Sequence, residues 1–553
     1  MIPTSAKPND YQVVVVGFGP SGAVATSLLG KRGIRTLAID RLRTVYDKPR
    51  AIAMDHEILR LLDNLGIADR ILPHVAPFPA SQHFGAAGQL IRRIDMVSKP
   101  YPLGYTPSMV FTQPPVEAVL RENAASYASV KVELGTEFVG LAQSDTGVRL
   151  ELLGDDGGRQ SVTADYVIAC DGASSEVREH VGIALEDLVF DEPWLVVDVL
   201  VHEEALGKLP QTAAQYCDPA RPTTFIIGPR NHRRWEIMLL PGEDPQEAQK
   251  PERVWKLLSK WLTPDEATLW RAASYRFHAL VAAEWRRGRV FLAGDAAHQQ
   301  PPFIGQGMCQ GLRDSSNLVW KLDHVLHGQS GEALLDSYGE ERGDHVRELT
   351  TRIKAIGQVI CERDPQAARE RDLRILAEGG GKARTITRQE IVPPLRKGLF
   401  ASADESAKES CKESCKGTLF PQPRIMGDRG PMLLDAAFGA GWRLCIDGRA
   451  TLELTDAARR QIDELRLTIF RIGAAQDATS AAPEAVRDRI ALELDGVMAG
   501  WFDRHGCSAA IVRPDHYVFG VARDTATLIG MLRELRDRLL ESRPQFLSIT
   551  TQG

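Results

Sequence analysis

The stretch YQVVVVGFGPSGAVATSLLGKRGIRTLAID, residues 11–40, decides the fold class. Val13 to Val16 make a continuous β-branched run of the kind found in strands covered on both faces. Gly17-Phe18-Gly19-Pro20-Ser21-Gly22 follows at once, then a helical pattern, then a second strand, Thr36 to Ile39, closed by Asp40. The order is that of a dinucleotide fingerprint. Gly17 permits the turn, Gly19 lets a pyrophosphate approach the helix N-terminus, and Gly22 lets helix pack on strand. Asp40, about 20 residues on, supplies a carboxylate for a ribose hydroxyl. This predicts a parallel α/β sheet, and by itself it does not separate NAD from FAD.

Two further strand ends repeat the grammar. YVIACDGASSEVR at 166–178 closes an apolar strand with Asp171-Gly172, and AGDAAHQQPPFIGQGMCQG at 293–311 follows the apolar run Val290-Phe291-Leu292. Asp-Gly alone is a common turn dipeptide. Three such strand ends are more than one NAD needs and suit an extended FAD.

Length and composition set the bounds. At 553 residues the chain suggests two or three domains. With 67 Lys plus Arg against 73 Asp plus Glu it is mildly acidic, which argues against nucleic acid as a partner. The four-valine run near the N-terminus is too short for a signal or a membrane span, so the sequence reads as cytoplasmic, without a membrane partner. The eight cysteines are scattered and mostly sit in apolar segments, as expected of reduced thiols.

These motifs resemble one family, the FAD-dependent aromatic hydroxylases, single-component flavoprotein monooxygenases with the p-hydroxybenzoate hydroxylase fold. The resemblance rests on Gly17 to Gly22, on Cys170-Asp171-Gly172-Ala173-Ser174-Ser175 with Arg178, and on Gly294-Asp295-Ala296-Ala297-His298 through Pro302, Gly305-Gln306-Gly307, Arg313-Asp314 and Asn317-Leu318. It covers roughly residues 10–350. Lys48-Pro49-Arg50-Ala51-Ile52 with Asp55, Tyr216 to Pro222, and Met238 with Leu240 to Glu243 are similar to the 3-(3-hydroxyphenyl)propionate hydroxylase branch. Pro302-Phe303-Ile304 departs from that branch beside the expected substrate.

The resemblance implies a Rossmann-like FAD-binding domain with an inserted β-sheet substrate domain and a C-terminal thioredoxin-like domain. Its divisions here are 1–190 and 285–375 for the FAD-binding domain, 191–284 for the substrate sheet, 376–423 for a linker or excursion, and 424–553 for the last domain. It implies that NADH or NADPH reduces FAD, and that a flavin hydroperoxide then delivers one oxygen atom from O2 to a small phenol in aromatic catabolism. A 3-(3-hydroxyphenyl)propionate-like acid is the expected substrate; a nitro- or chlorophenol with displacement of the substituent is the alternative, and a homodimer is an expected assembly. Cofactor-binding residues would be Gly17, Gly19, Gly22, Asp40, Arg41, Arg50, Gln113, Asp171, Gly294, Asp295, Gly305, Gly307 and Met308. The amides at 305–308 would face the flavin pyrimidine edge.

For catalysis the expected residues are His298, Pro302 and Tyr216, with His232 a further proton-path candidate; Phe225, Trp235 and Phe303, and Trp194 beside them, are expected at substrate. A lone His is more often structural, and aromatic residues in strands are more often core. No metal site is expected. Lys408-Glu409-Ser410-Cys411 and Lys412-Glu413-Ser414-Cys415 form a tandem repeat without a second ligand pair of zinc-like spacing.

In the last domain, strands are predicted at Trp442 to Asp447, Ala509 to Val512 and Tyr517 to Ala522. Helices are predicted at Ala457 to Leu465, Ala485 to Leu492 and Thr525 to Leu540. It lacks Cys-x-x-C, so disulfide exchange is not expected. Two other classes share the scaffold: a flavin halogenase or ring-oxidising dehydrogenase, and a binding protein that keeps FAD as a structural or sensory group. No Trp-x-Trp-x-Ile segment of the halogenase type is present.

Overall fold

The computed structural model describes residues 9–402, 415–474 and 489–540. The chain divides into two compact units, each discontinuous in sequence. The first comprises Met1–Ser98, Tyr105–Ser315 and Val346–Pro393; the second comprises Lys99–Gly104, Ser316–His345 and Pro394–Gly553.

In the first unit, strand Tyr11–Val16 runs parallel to Thr36–Asp40 on one side and to Arg159–Ala169 on the other, with Val130–Leu134 and Val290–Leu292 beyond. Val13, Val14 and Val15 are fully buried, as a strand covered on both faces requires. Register then does the positioning. Val16 stands opposite Ile39 and Ala169, and Ala169 opposite Leu292. All four strands therefore end level, and the segments beginning at Asp40, Gly17, Cys170 and Ala293 leave the sheet side by side, where open α/β sheets bind ligands.

The same unit holds a nine-stranded sheet centred on the long strands Leu185–Val201 and Ala267–Ala282, flanked by His232–Met238, Thr223–Ile227 and Ala213–Tyr216. It also takes Ser81–Phe84, Leu90–Asp95, His298–Gln299 and, as its last edge, Arg384–Thr387, which pairs with Leu90–Asp95. One face buries Leu195, Val197, Val199, Phe225, Trp235 and Ile237 in a single apolar cluster. A three-stranded sheet, Ala53–Asp55, Ser108–Phe111 and Val75–Pro77, anchors the segment that follows Arg50.

The second unit contains a seven-stranded sheet with apolar clusters on both faces. Leu444, Ile446, Ala509 and Ile511 pack with helices Asp456–Glu464 and Thr525–Leu540; Cys445, Phe470, Ala510 and Val512 pack with helix Val497–His505. Of the helix predicted at Ala485 to Leu492, residues 485–488 lie outside the described residues and the rest is corrected: Arg489–Glu493 is a strand, paired in parallel with Thr468–Ala474. Ile490 is exposed while Ala491 is buried, the alternation of a strand rather than a helix. Strand Thr468–Ala474 and helix Val497–His505 were not predicted. Residues 408–414 of the Lys-Glu-Ser-Cys repeat lie outside the described residues; Cys415 is buried.

Candidate functional site

One cavity of about 680 Å³ runs through the first unit, and most of the singled-out residues line it. At one end are the level strand ends. Gly17 has φ 93°, and a Cβ there would overlap the Cys170 carbonyl; a Cβ on Gly22 would overlap the Gly17 carbonyl oxygen. Gly19 differs, having nothing within 4 Å of its Cβ position, so its bare backbone faces open space in the cavity wall. Asp40 accepts a hydrogen bond from the Phe18 amide at 2.8 Å and stands 3.6 Å from Arg121, whose guanidinium lies over the Phe18 ring. Arg41 lines this end and is exposed.

Asp171 lines the cavity but is occupied with local structure. Its carboxylate accepts from Ser175 Oγ at 2.5 Å and from the Val177 amide at 3.1 Å, which turns the chain into helix Glu176–His180. Gly294 and Gly22 are packing positions outside the lining; a Cβ on Gly294 would stand 2.7 Å from Ser21 Oγ. The opening three glycines of the 305–311 segment thus divide, since Gly311 is also pressed on Ser21 whereas Gly305 and Gly307 line the cavity with Met308.

Midway, Gln113 Oε1 accepts from the Arg50 and Ala51 amides at 3.1 and 2.6 Å, stapling that segment to helix Gln113–Ala125. Arg50 and Asp295 face the cavity here. Desolvation between the cavity walls raises the Asp295 carboxyl above its ordinary range, against the pull of His298 and Arg50. The Gly305 loop is held from behind. Gln306 and Arg313 both bond Asp55, Arg313 also reaches Glu57, and Arg388 donates to the Ile304 carbonyl. Burial favours the neutral form of Asp55, yet the Arg313 guanidinium holds its carboxyl below the ordinary range. Sequence reasoning gave Asp55, Gln306 and Arg313 only as parts of motifs; their carboxylate-guanidinium-amide set is a buried brace for the loop.

The far end is the nine-stranded sheet. Val196, Gln215, Thr224, Arg234, Glu236, Arg271, Tyr275 and Phe277 line it, with Phe303 and Pro302 opposite. Phe303 packs edge-on against Phe190, Trp194 and Phe277, with ring centroids 5.9, 5.7 and 6.1 Å away. Period-two alternation sends Trp235 and Tyr216 the other way. Trp235 sits in the opposite core, 5.0 Å from the Phe225 ring, and Tyr216 stacks on Phe84; neither lines the cavity. The substrate contact expected of Trp235 and the catalytic role expected of Tyr216 are corrected on that ground. Phe225 borders the cavity, but its ring belongs to the same far core.

His298 lines the cavity with its ring stacked on Trp285, its Nε2 2.7 Å from Asp314 Oδ2. The Gly294 amide donates to the same carboxylate oxygen at 3.0 Å, so His298 and the Asp295 turn share one anchor. His232 is outside the lining, bonded to Asp198 at 2.7 Å.

What sequence reasoning missed is the charge on this wall. Arg234 donates to Asp198 at 2.7 Å and to the Arg50 and Pro49 carbonyls at 2.8 and 3.2 Å; Arg271 bonds the Pro49 carbonyl and the Tyr275 hydroxyl. Glu236 is 3% exposed, and burial raises its carboxyl to about 7 despite the nearby Arg234. The signal was present in His232-Arg233-Arg234-Trp235-Glu236-Ile237-Met238, where charged residues alternate within a strand that is buried throughout. Among the described residues no group of His, Cys, Asp or Glu is placed to hold a metal ion.

Comparison with known proteins agrees with this geometry. A family model described as an FAD binding domain matches residues 10–353, and one described as the HcaD C-terminal domain matches 417–537. The chain is 35% identical over 538 residues to a probable NADH-specific resorcinol 4-hydroxylase of Rhodococcus jostii, covering 96% of each chain. It is 32% identical over 536 residues to a 3-(3-hydroxy-phenyl)propionate/3-hydroxycinnamic acid hydroxylase of Burkholderia cenocepacia, covering 95% of this chain and 96% of the relative. Among solved structures, aklavinone-11 hydroxylase in complex with FAD and aklavinone has the same fold, with TM-score 0.75, 24% identity and coverage of 96% and 100%. The p-nitrophenol 4-monooxygenase PnpA of Pseudomonas putida aligns with TM-score 0.61 and 27% identity, covering 67% of this chain and 94% of that one.

Proposed function

This chain belongs to the FAD-dependent aromatic hydroxylase family, and on that premise we propose that it oxidises a small meta-substituted phenol at the expense of NADH and O2. Both relatives are named for such a ring, one with a second hydroxyl and one with a propionate or acrylate chain. The overall reaction balances as phenol, O2, NADH and a proton giving hydroxylated phenol, NAD and water. FAD supplies the redox chemistry, passing electrons from the nicotinamide to O2 so that one oxygen atom goes to the ring and the other leaves as water.

The observation that carries this reading is the cavity itself, whose one end is a glycine cradle and whose other is an aromatic and polar wall. The residues fit the cofactor. Nothing stands within 4 Å of a Cβ placed on Gly19, whereas a Cβ on Gly17 or Gly22 would overlap backbone carbonyls of the turn. Asp40, with Arg41 beside it, would take the adenosine end, Arg50, Gln113 and Asp295 the middle, and the Gly305 to Met308 backbone the ring end. Asp171 contributes by shaping the turn under the cradle. The remaining work of the protein is to exclude water from the reacting ring, and Phe303, Phe277 and Val196 supply that apolar surface.

A propionate tail requires a cation with donors to spare. Arg388 lines the cavity, is buried and has no partner for its Nε among the described residues, which supports a 3-(3-hydroxyphenyl)propionate-like acid as substrate. Resorcinol, which needs no cation, is the second reading and follows the other relative. No described helix is long and apolar enough to cross a membrane. A cytoplasmic location is inferred from the need for NADH and from thiols that are free in every described cysteine. The test is to follow NADH and NADPH consumption by the flavin-loaded protein with both phenols and to weigh the products. Gain of one oxygen supports the reading; NADH consumption that yields hydrogen peroxide alone with both compounds removes this substrate class.

A further inference from the structure

Glu236 is a buried acid on the wall that faces the substrate end of the cavity, and the fold gives it no structural employment there. Its Oε2 has no hydrogen-bond partner among the described residues. A buried carboxyl oxygen left unpaired costs roughly 1–3 kcal/mol or more, so a wall that retains one needs a reason. The neighbours across the strands are Thr224 and Val196, and Gln215 stands beyond Thr224. Thr224 donates its hydroxyl to Gln215 Oε1 at 2.5 Å, not to Glu236.

The charged groups around this position bond elsewhere, and only the Arg271 Nε among their donors is left without a partner among the described residues. Arg234, on the same strand, is held by Asp198 and two backbone carbonyls. Asp198 comes from strand Leu185–Val201, and Arg271, from strand Ala267–Ala282, is spent on the Pro49 carbonyl and the Tyr275 hydroxyl. Two guanidinium groups and the Asp198 carboxylate therefore act on Glu236 from nearby, with no hydrogen bond to it among the described residues.

We propose that Glu236 is the catalytic base that accepts the phenolic proton of the substrate. The step breaks the substrate O–H bond and forms an O–H bond on the Glu236 carboxylate, with no change in oxidation state. The negative charge moves from Glu236 to the phenolate, so the net charge of wall and substrate together is conserved. A phenolate donates more electron density to its ortho and para carbons than a phenol, which is what oxygen transfer to the ring requires. After transfer the same proton returns to the product oxygen. A base is most effective when its pKa lies near the working pH, and burial places Glu236 about there. This rests on the hydroxylase reading above.

The test uses the FAD-loaded full chain with resorcinol and with 3-(3-hydroxyphenyl)propionate, comparing wild type, Glu236→Gln and Glu236→Asp. In wild type, kcat/KM for oxygenated product should rise tenfold per pH unit up to an apparent pKa near 7, the same for resorcinol and for its more acidic ring-fluorinated analogues. Glu236→Gln should lose that limb and about 100-fold or more in product formation. Glu236→Asp should keep the limb, and a fluorinated resorcinol should recover part of the loss in Glu236→Gln. An acid limb that tracks the acidity of each phenol in wild type overturns the proposal without any variant. So does a Glu236→Gln enzyme within twofold of wild type at every pH. If wild type oxygenates neither phenol, the substrate reading fails and the role of Glu236 falls with it.

Discussion

Gly17, at φ 93°, lies against the carbonyl of Cys170 so closely that a Cβ on it would overlap that oxygen. Backbone rather than a movable side chain occupies the space, so Gly17→Ala must displace a strand end. Gly19→Ala meets nothing within 4 Å and fills only cavity. Gly19→Ala is expected to fold with an apo melting temperature within a few degrees of wild type while its FAD affinity falls about tenfold, or ~1.4 kcal/mol. Gly17→Ala is expected to lose both. Flavin absorbance per protein and calorimetry separate the two outcomes.

Asp295 is exposed and lines the cavity rather than packing in the core. Asp295→Ala should weaken FAD binding by roughly 1.5–3 kcal/mol, the range for hydrogen bonds to a charged group. Because the side chain is exposed to the cavity and not packed in the core, apo stability should be little changed. Full flavin occupancy in the variant at micromolar FAD would count against the assignment.

The two faces of the nine-stranded sheet predict opposite behaviour for two aromatic residues. Phe303→Ala removes a ring that packs on three others, so stability should fall by about 3–5 kcal/mol and KM for the phenol should rise more than KM for NADH. Trp235→Phe acts in the far core and should change stability with no shift in phenol KM. Steady-state kinetics on both, at temperatures well below melting, decide it.

Arg388 distinguishes the candidate substrates. In Arg388→Met the ratio of kcat/KM for 3-(3-hydroxyphenyl)propionate over that for resorcinol should drop about tenfold, the loss of one charge-assisted contact. Disturbance of the Ile304 loop would lower both values together and leave the ratio intact.

In the second unit, Glu341 accepts from Arg513, Lys321 and Asn317, all buried. Burial favours its protonation, but the two cations bring its carboxyl down to about 2 from 4.5. The unfolded chain takes up this proton first, so the stabilisation is complete above about 4.5 and is lost as pH falls toward 2. Glu341→Gln should be less stable at neutral pH, with a flatter fall in melting temperature below pH 4.5 than wild type. Equal acid slopes in the two proteins would remove Glu341 from the acid response.

Much of the cradle was legible because its constraints are local. A glycine at a strand end, followed by a helix, has few alternatives, and three such stations in one chain converge through parallel register. Residues such as Gly19, Asp40 and Asp295 were found in this way. Face assignment was not legible, because alternation along a strand fixes which residues share a side and not which side meets the cavity. Trp235 was therefore chosen where Glu236 lines the cavity. Strand Arg489–Glu493 was read as a helix because five residues of mixed polarity carry no decisive period until a neighbouring strand pairs with them.

The last edge of the nine-stranded sheet is Arg384–Thr387, and Arg388 follows directly. During synthesis this sheet cannot be completed until residue 387 has left the ribosome, long after its central strands have emerged. Until then Leu90–Asp95 presents an unpaired edge open to other chains. A nascent or truncated chain that stops short of this strand is thus exposed to aggregation, and it also lacks the arginine that the same segment carries into the cavity.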